Sequence, residues 1–214
     1  FTIQEAKEMD PLLHHNNISI YPRPLMRNLF SNDRYRKQYL AHIRTIMEEN
    51  FDNGDYALRA QAMQTLIDAD VVADTNKFYS YNDFQNNLST TVSDFVDYPG
   101  ITELMDARST YLGSYPGMNY EPVINSVNTS LTAITLGDDM YITAQVDSAD
   151  TVILAYRYGT NAVFEKVYML DDGTQNDGIA GDSIYGVLLS GIGNHIQYYI
   201  YAENDSAGVF SPKR

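Results

Sequence analysis

The hydrophobic period of this chain changes at Gly113-Ser114-Tyr115-Pro116-Gly117, a cluster of turn formers, and that change constrains the fold more than any other feature. Before it, apolar residues recur at three- and four-residue spacing, which a helix gathers onto one face. After it they alternate, which a strand sorts onto opposite faces. The pattern predicts an α+β protein of two domains: a helical bundle over residues 1–118 and an all-β sandwich over residues 119–214.

In the first part, Tyr35, Tyr39, Ile43, Ile46 and Met47 share one helical face, with Asn32 and Asp33 as caps. Pro24 suits the first turn of a short helix carrying Leu25, Met26, Leu29 and Phe30, because its missing N–H costs nothing there. Asn53-Gly54 reads as a turn before a helix from about Asp55 to Asp70, with Leu58, Ala62, Leu66 and Ile67 expected inward. Ser80-Tyr81-Asn82-Asp83 resembles a capping box ahead of Phe84 and Leu88. Pro99 is expected to open a last helix bearing Ile101, Leu104, Met105, Tyr111 and Leu112, which Gly113 ends.

After Pro122 the chain breaks into short β-branched and aromatic runs: Val123 to Val127, Met140 to Val146, Thr151 to Tyr158, Ala162 to Met169, Ile184 to Leu189 and His195 to Ala202. The 18 Tyr and the absence of Trp fit half-buried strand faces. About seven short strands in this length fit a sandwich of immunoglobulin or fibronectin III type.

Charge excludes two classes of partner. With 28 Asp plus Glu against 14 Lys plus Arg, the net charge of -14 would repel phosphate backbones and anionic lipid, so general nucleic-acid and membrane-surface binding are not expected. No apolar run reaches the roughly 18 to 20 residues of a membrane span. The absence of cysteine removes disulfides, thiolate zinc sites and cysteine nucleophiles. Phe1-Thr2-Ile3-Gln4 carries neither an initiating Met nor an export signal, which reads as a processed or excised piece of a longer, soluble protein.

Four stretches carry a family resemblance: Arg23-Pro24-Leu25-Met26-Arg27-Asn28-Leu29-Phe30, Tyr35-Arg36-Lys37-Gln38-Tyr39-Leu40-Ala41-His42-Ile43-Arg44, Asn76-Lys77-Phe78-Tyr79-Ser80-Tyr81, and Pro99-Gly100-Ile101 leading to Arg108-Ser109-Thr110-Tyr111-Leu112. In order and spacing, residues 12 to 113 resemble the C-terminal end of the CotH-type kinase domain, the spore coat protein H family of atypical, secreted or surface protein kinases. Met169-Leu170-Asp171-Asp172-Gly173, Asp177-Gly178 and Ala180-Gly181-Asp182-Ser183-Ile184-Tyr185-Gly186 look like the β-sandwich module that often follows it in bacterial surface proteins. Asp182-Ser183 departs from the usual Asp-Gly.

The resemblance implies a secreted or cell-surface bacterial protein whose catalytic elements, with their ATP and Mg²⁺, lie upstream of the matched stretch. On that basis the expected function is a non-catalytic scaffold and interaction fragment. Its partner would be the N-terminal remainder of the parent or another surface protein. Two alternatives stand beside it: the C-terminal portion of an active kinase, and a sandwich that binds glycan or protein, with tyrosines as stacking faces.

The residues themselves offer little catalytic chemistry. No Gly-x-x-x-x-Gly-Lys and no glycine-rich loop opens a helix in the first part, and Asp94-Phe95-Val96 lacks the glycine of a metal-binding Asp-Phe-Gly. Asp171, Asp172, Asp177 and Asp182 place hard oxygen ligands in a glycine-rich loop, as Ca²⁺ requires; the alternative is an Asx-type turn whose carboxylates accept backbone N–H groups. His14-His15 read as an exposed pair more than as metal ligands, and His42 as a packed or surface residue. Arg23, Arg27, Arg34, Arg36, Lys37 and Arg44 form either an anion site or ordinary ion pairs.

Overall fold

The structure, a computed structural model, describes residues 2–16 and 23–213 and their side chains except those of His14 and Asn16. It is an α+β fold in which the helices, with one two-stranded sheet among them, come first and two larger antiparallel sheets follow. By contact the chain divides into two units: Phe1–Ser31 with Ile43–Tyr115, and Asn32–His42 with Pro116–Arg214.

The first unit is mostly helical. It contains α1 (Ile3–Lys7), α2 (Leu13–Asn16) and α3 (Pro24–Phe30), with Pro24 in the first turn as its fixed φ requires. The helix α4 (Asp33–Ile46) widens at its end into a single π-helical turn, Met47–Phe51. Gly54, at φ 76°, makes the turn into α5 (Asp55–Ala73), while the Asn53 side chain accepts the Asp55 N–H at 2.9 Å. Ser80 and Asp83 form the expected reciprocal cap of α6 (Tyr81–Asn86). A small hairpin, β1 (Val92–Ser93) with β2 (Asp97–Tyr98), precedes α7 (Ile101–Gly113).

Two expectations fail here. Pro99 does not open α7: Gly100, buried and extended, is its N-cap, and a Cβ there would run into the Thr90 and Ser89 backbone. On α5, Leu58, Ala62, Leu66 and Ile67 do not point inward. All four are exposed, and the helix has no buried residue. Its apolar residues lie all round the helix, so no single stripe selects a core-facing side.

The second unit is built on two antiparallel sheets. One has the order β3-β4-β7, from β3 (Val123–Thr129), β4 (Met140–Asp147) and β7 (Ile184–Leu189). The other has the order β6-β5-β8-β9, from β5 (Thr151–Arg157), β6 (Glu165–Met169), β8 (Gln197–Glu203) and β9 (Gly208–Ser211). Alternation in β4 is strict: Met140, Ile142, Ala144 and Val146 are buried with Val152 and Leu154 of β5 and Ile200 and Ala202 of β8 in one core between the sheets.

The other face of the four-stranded sheet is covered too. Ile153, Tyr201 and Phe210 form a second buried cluster with Ala41 of α4. Leu40 sits against Gly117, whose φ of 86° and lack of a Cβ let the chain pass. No helix among the described residues is long and apolar enough to cross a membrane.

Candidate interaction site

The four aspartates singled out in the sequence lie in the loop between β6 and β7, and the loop spends them on its own backbone. Asp177, fully buried, accepts the N–H groups of Asp172 at 2.8 Å and Gly173 at 2.9 Å on Oδ2 and that of Gln175 at 2.7 Å on Oδ1. Burial pushes its pKa up, and these N–H groups pull it down and prevail, so the carboxyl titrates below the ordinary Asp range.

Asp171 accepts from Gly181, Asp182 and Ser183 at 2.7, 3.3 and 3.0 Å. Asp182 accepts from Ile179 and Ile184, each at 3.0 Å, and Asp172 accepts the Thr174 N–H and hydroxyl at 3.0 and 2.6 Å. The loop then closes over β7, where Gly186 leaves room for Gln175 and Asp177. Asp171, Asp172, Asp177 and Asp182 are thus brought into one loop without converging on one point. Among the described residues no group of three or more His, Cys, Asp or Glu side chains is placed to hold a metal ion. Each of the four carboxylates accepts at least one backbone N–H, which is the Asx-type arrangement.

The remaining sequence candidates scatter. Asp94-Phe95-Val96 is the tip of the β1–β2 hairpin, with Phe95 99% exposed. His15 has a buried Nδ1 with no hydrogen-bond partner among the described residues, and the His14 side chain lies outside them. His42 is exposed and stacks on Phe210 at 4.5 Å between ring centroids. Of the basic residues, Arg34 pairs with Glu203 at 2.8 Å, and Arg36 and Lys37 both pair with Asp33. The Tyr168 hydroxyl, and then Glu203, hold the Arg34 guanidinium charged more firmly than usual.

Two hollows were not anticipated from the sequence. In the first unit, α5, α6, the β1–β2 hairpin and the start of α7 enclose an apolar groove of about 540 Å³. Met63, Ile67 and Val71 lie on it four residues apart, so one stripe of α5 forms a wall. Phe84, Leu88 and Tyr98 stand on other sides, and Phe78, 98% exposed, projects at the rim. Gln64 fixes α5 to α6 by donating to the Phe84 carbonyl at 2.6 Å, and Tyr81 donates to Asp68 at 2.8 Å. Tyr79 packs edge-on against Tyr98 at 5.5 Å, and their hydrogen bond pushes the Tyr79 phenol up to about 12. The usable signal was the surplus of apolar residues on α5 beyond one face.

In the second unit a hollow of about 660 Å³ is lined by Phe164, Gln197, Tyr199 and Phe210. Arg157 lies 4.4 Å above the Phe164 ring and donates to Gln197 Oε1 at 2.9 Å. Ser80 and Asp83, both in the lining of the first hollow, form a hydroxyl–carboxylate pair at 2.6 Å that belongs to the N-terminal cap of α6. Compared with protein-family models and with curated proteins, the chain matches none.

Proposed function

We propose that this chain is a non-catalytic scaffold and interaction part of a secreted or cell-surface bacterial protein of CotH-like type. In this reading residues 1–118 correspond to the C-terminal subdomain of the kinase domain, and residues 119–214 are an immunoglobulin/fibronectin III-like module. The strand order, β3-β4-β7 against β6-β5-β8-β9 with one shared core, supports the sandwich assignment. ATP and Mg²⁺ would belong to upstream catalytic elements.

The observation that carries the interaction reading is the apolar groove with Leu66 and Phe78, 82% and 98% exposed, beside it in sequence. Large contiguous apolar surface marks a place where something else binds. The test is twofold. The native chain should enhance the fluorescence of an apolar dye, and Leu66→Ser with Phe78→Ser should reduce that signal while the circular dichroism spectrum stays the same. Purified chain alone should transfer no phosphoryl group from ATP; turnover by this chain would instead favour the kinase reading and overturn this one.

A second reading, glycan binding by the sandwich, is favoured by the Phe164, Tyr199 and Arg157 hollow, which joins ring faces to polar edges. Calorimetric titration against a panel of glycans tests it, and silence across the panel rejects it.

A further inference from the structure

We infer that the groove of the helical unit receives a cationic amphipathic helix from another protein. This rests on the interaction reading above and names the chemistry of the partner. Three features argue for it: the shape of the groove, the nature of its walls and the sign of the charge around it.

The wall formed by Met63, Ile67 and Val71 spans nine residues of α5, about 12 Å from first to last at helical rise. That is two turns, the length over which a partner helix presents anchors at i, i+3, i+4 and i+7. Met63 adds an unbranched side chain that adapts to differently shaped anchors, and the Phe78 ring stands free at the edge to cover what enters.

Charge selects the partner. Between residues 63 and 101 the chain carries Asp68, Asp70, Asp74, Asp83, Asp94 and Asp97 and a single basic residue, Lys77. This is far more one-sided than the two-to-one excess of the whole chain. Asp74 and Asp83 themselves line the groove. Lys77 does not offset them with an ion pair: its ammonium donates to the Asp74 carbonyl oxygen at 2.7 Å. None of the ion pairs among the described residues involves these aspartates. An apolar trough with a negative margin attracts a helix whose leucine-like stripe is flanked by Lys or Arg, and repels one flanked by Glu.

The test uses the full chain and three synthetic helical peptides of about 18 residues, long enough to hold a helix once docked. One carries Leu anchors flanked by Lys, one the same anchors flanked by Glu, and one Lys with Ser in place of Leu. Fluorescence anisotropy should give the Leu/Lys peptide a Kd on the order of 10 μM, at least about tenfold tighter than either control. Ile67→Glu and Asp74→Lys should each weaken it, the first about tenfold or more, whereas Asp205→Lys, on an exposed turn of the other unit, should not. Phe78→Ser supplies a variant whose exposed position spares folding, and it should weaken binding as well.

Equal affinity for the Leu/Glu peptide would overturn the inference. So would equal sensitivity to Asp205→Lys, which would mean diffuse attraction to an acidic protein. Concentration-dependent dimerisation abolished by Ile67→Glu would also overturn it, making a second copy of this chain the occupant. Failure of the peptide with apolar dye binding intact removes this inference and leaves the interaction reading standing; ATP turnover removes that reading and leaves the peptide result to be judged by itself.

Discussion

The Arg34 side chain donates its Nε–H to Glu203 Oε1 at 2.8 Å, joining the first turn of α4 to the end of β8. Glu203 is almost fully buried, and its other oxygen accepts the Tyr201 hydroxyl at 2.8 Å. Arg34→Ala would leave that carboxylate with the phenol alone. With Arg34 itself about a third exposed, the expected cost is about 1–3 kcal/mol. Adding Glu203→Gln should recover part of it, and a double-mutant cycle by urea unfolding measures the coupling. Strict additivity of the two changes would refute the pairing.

Chelation should leave the protein unmoved. If the loop between β6 and β7 is held by backbone N–H groups, excess EDTA will not shift the Tm, because no ligand that favours the native form is withdrawn. Asp177→Asn, by contrast, should cost about 1–3 kcal/mol, since an amide NH₂ must face at least one N–H that the carboxylate had satisfied. A Tm lowered by EDTA and restored by Ca²⁺ would reverse this conclusion.

Acid should release α1 from α7. Lys7 donates to Glu103 at 2.9 Å and Thr91 donates to its other oxygen at 2.7 Å, and these bonds, Lys7 first, hold the Glu103 carboxyl down at about 2. Its folded value lies below the ordinary 4.5, so the tie adds stability above that value, and the contribution disappears as pH falls toward 2. Carboxyl carbon shifts followed by NMR should show a midpoint well below 4.5, moving upward in Lys7→Met. A midpoint at the ordinary value in the native chain would contradict the geometry.

Gly208 is needed for space. A Cβ there would lie 2.7 Å from Tyr201 Cε2, on a ring that Glu203 and the second cluster hold in place. Gly208→Ala should therefore cost about 2 kcal/mol through overpacking. Tyr201→Phe should cost about 1 kcal/mol for the lost hydroxyl bond. Thermal melts that rank Gly208→Ala as harmless would show that β9 can shift away from the ring.

Short-range signals were legible in the sequence. The Ser80 and Asp83 cap, Pro24 in a first turn, the Asn53-Gly54 turn and the alternation of β4 each depend on residues close together, and each forms as read. Long-range packing was not legible. Nothing near Leu58 or Leu66 announces that no described element covers them, and nothing near Ala41 announces Ile153 and Phe210 as neighbours. The strand β9 escaped because four residues opening on Gly and followed by Pro212 give no alternation to detect; its pairing with β8 defines it. The sequence places Asp171, Asp172, Asp177 and Asp182 in one loop, but composition alone does not say which backbone N–H groups each carboxylate accepts.

One strand is closed off in every direction. Val152, Ile153, Leu154 and Ala155 of β5 are buried in succession, with the inter-sheet core on one face and the α4 cluster on the other, and β6 and β8 bonded along its two edges. Water reaches its amides only when the whole unit comes apart. These four positions should be the last to exchange hydrogen for deuterium, at a rate that reports the global opening of the second unit and not any local breathing.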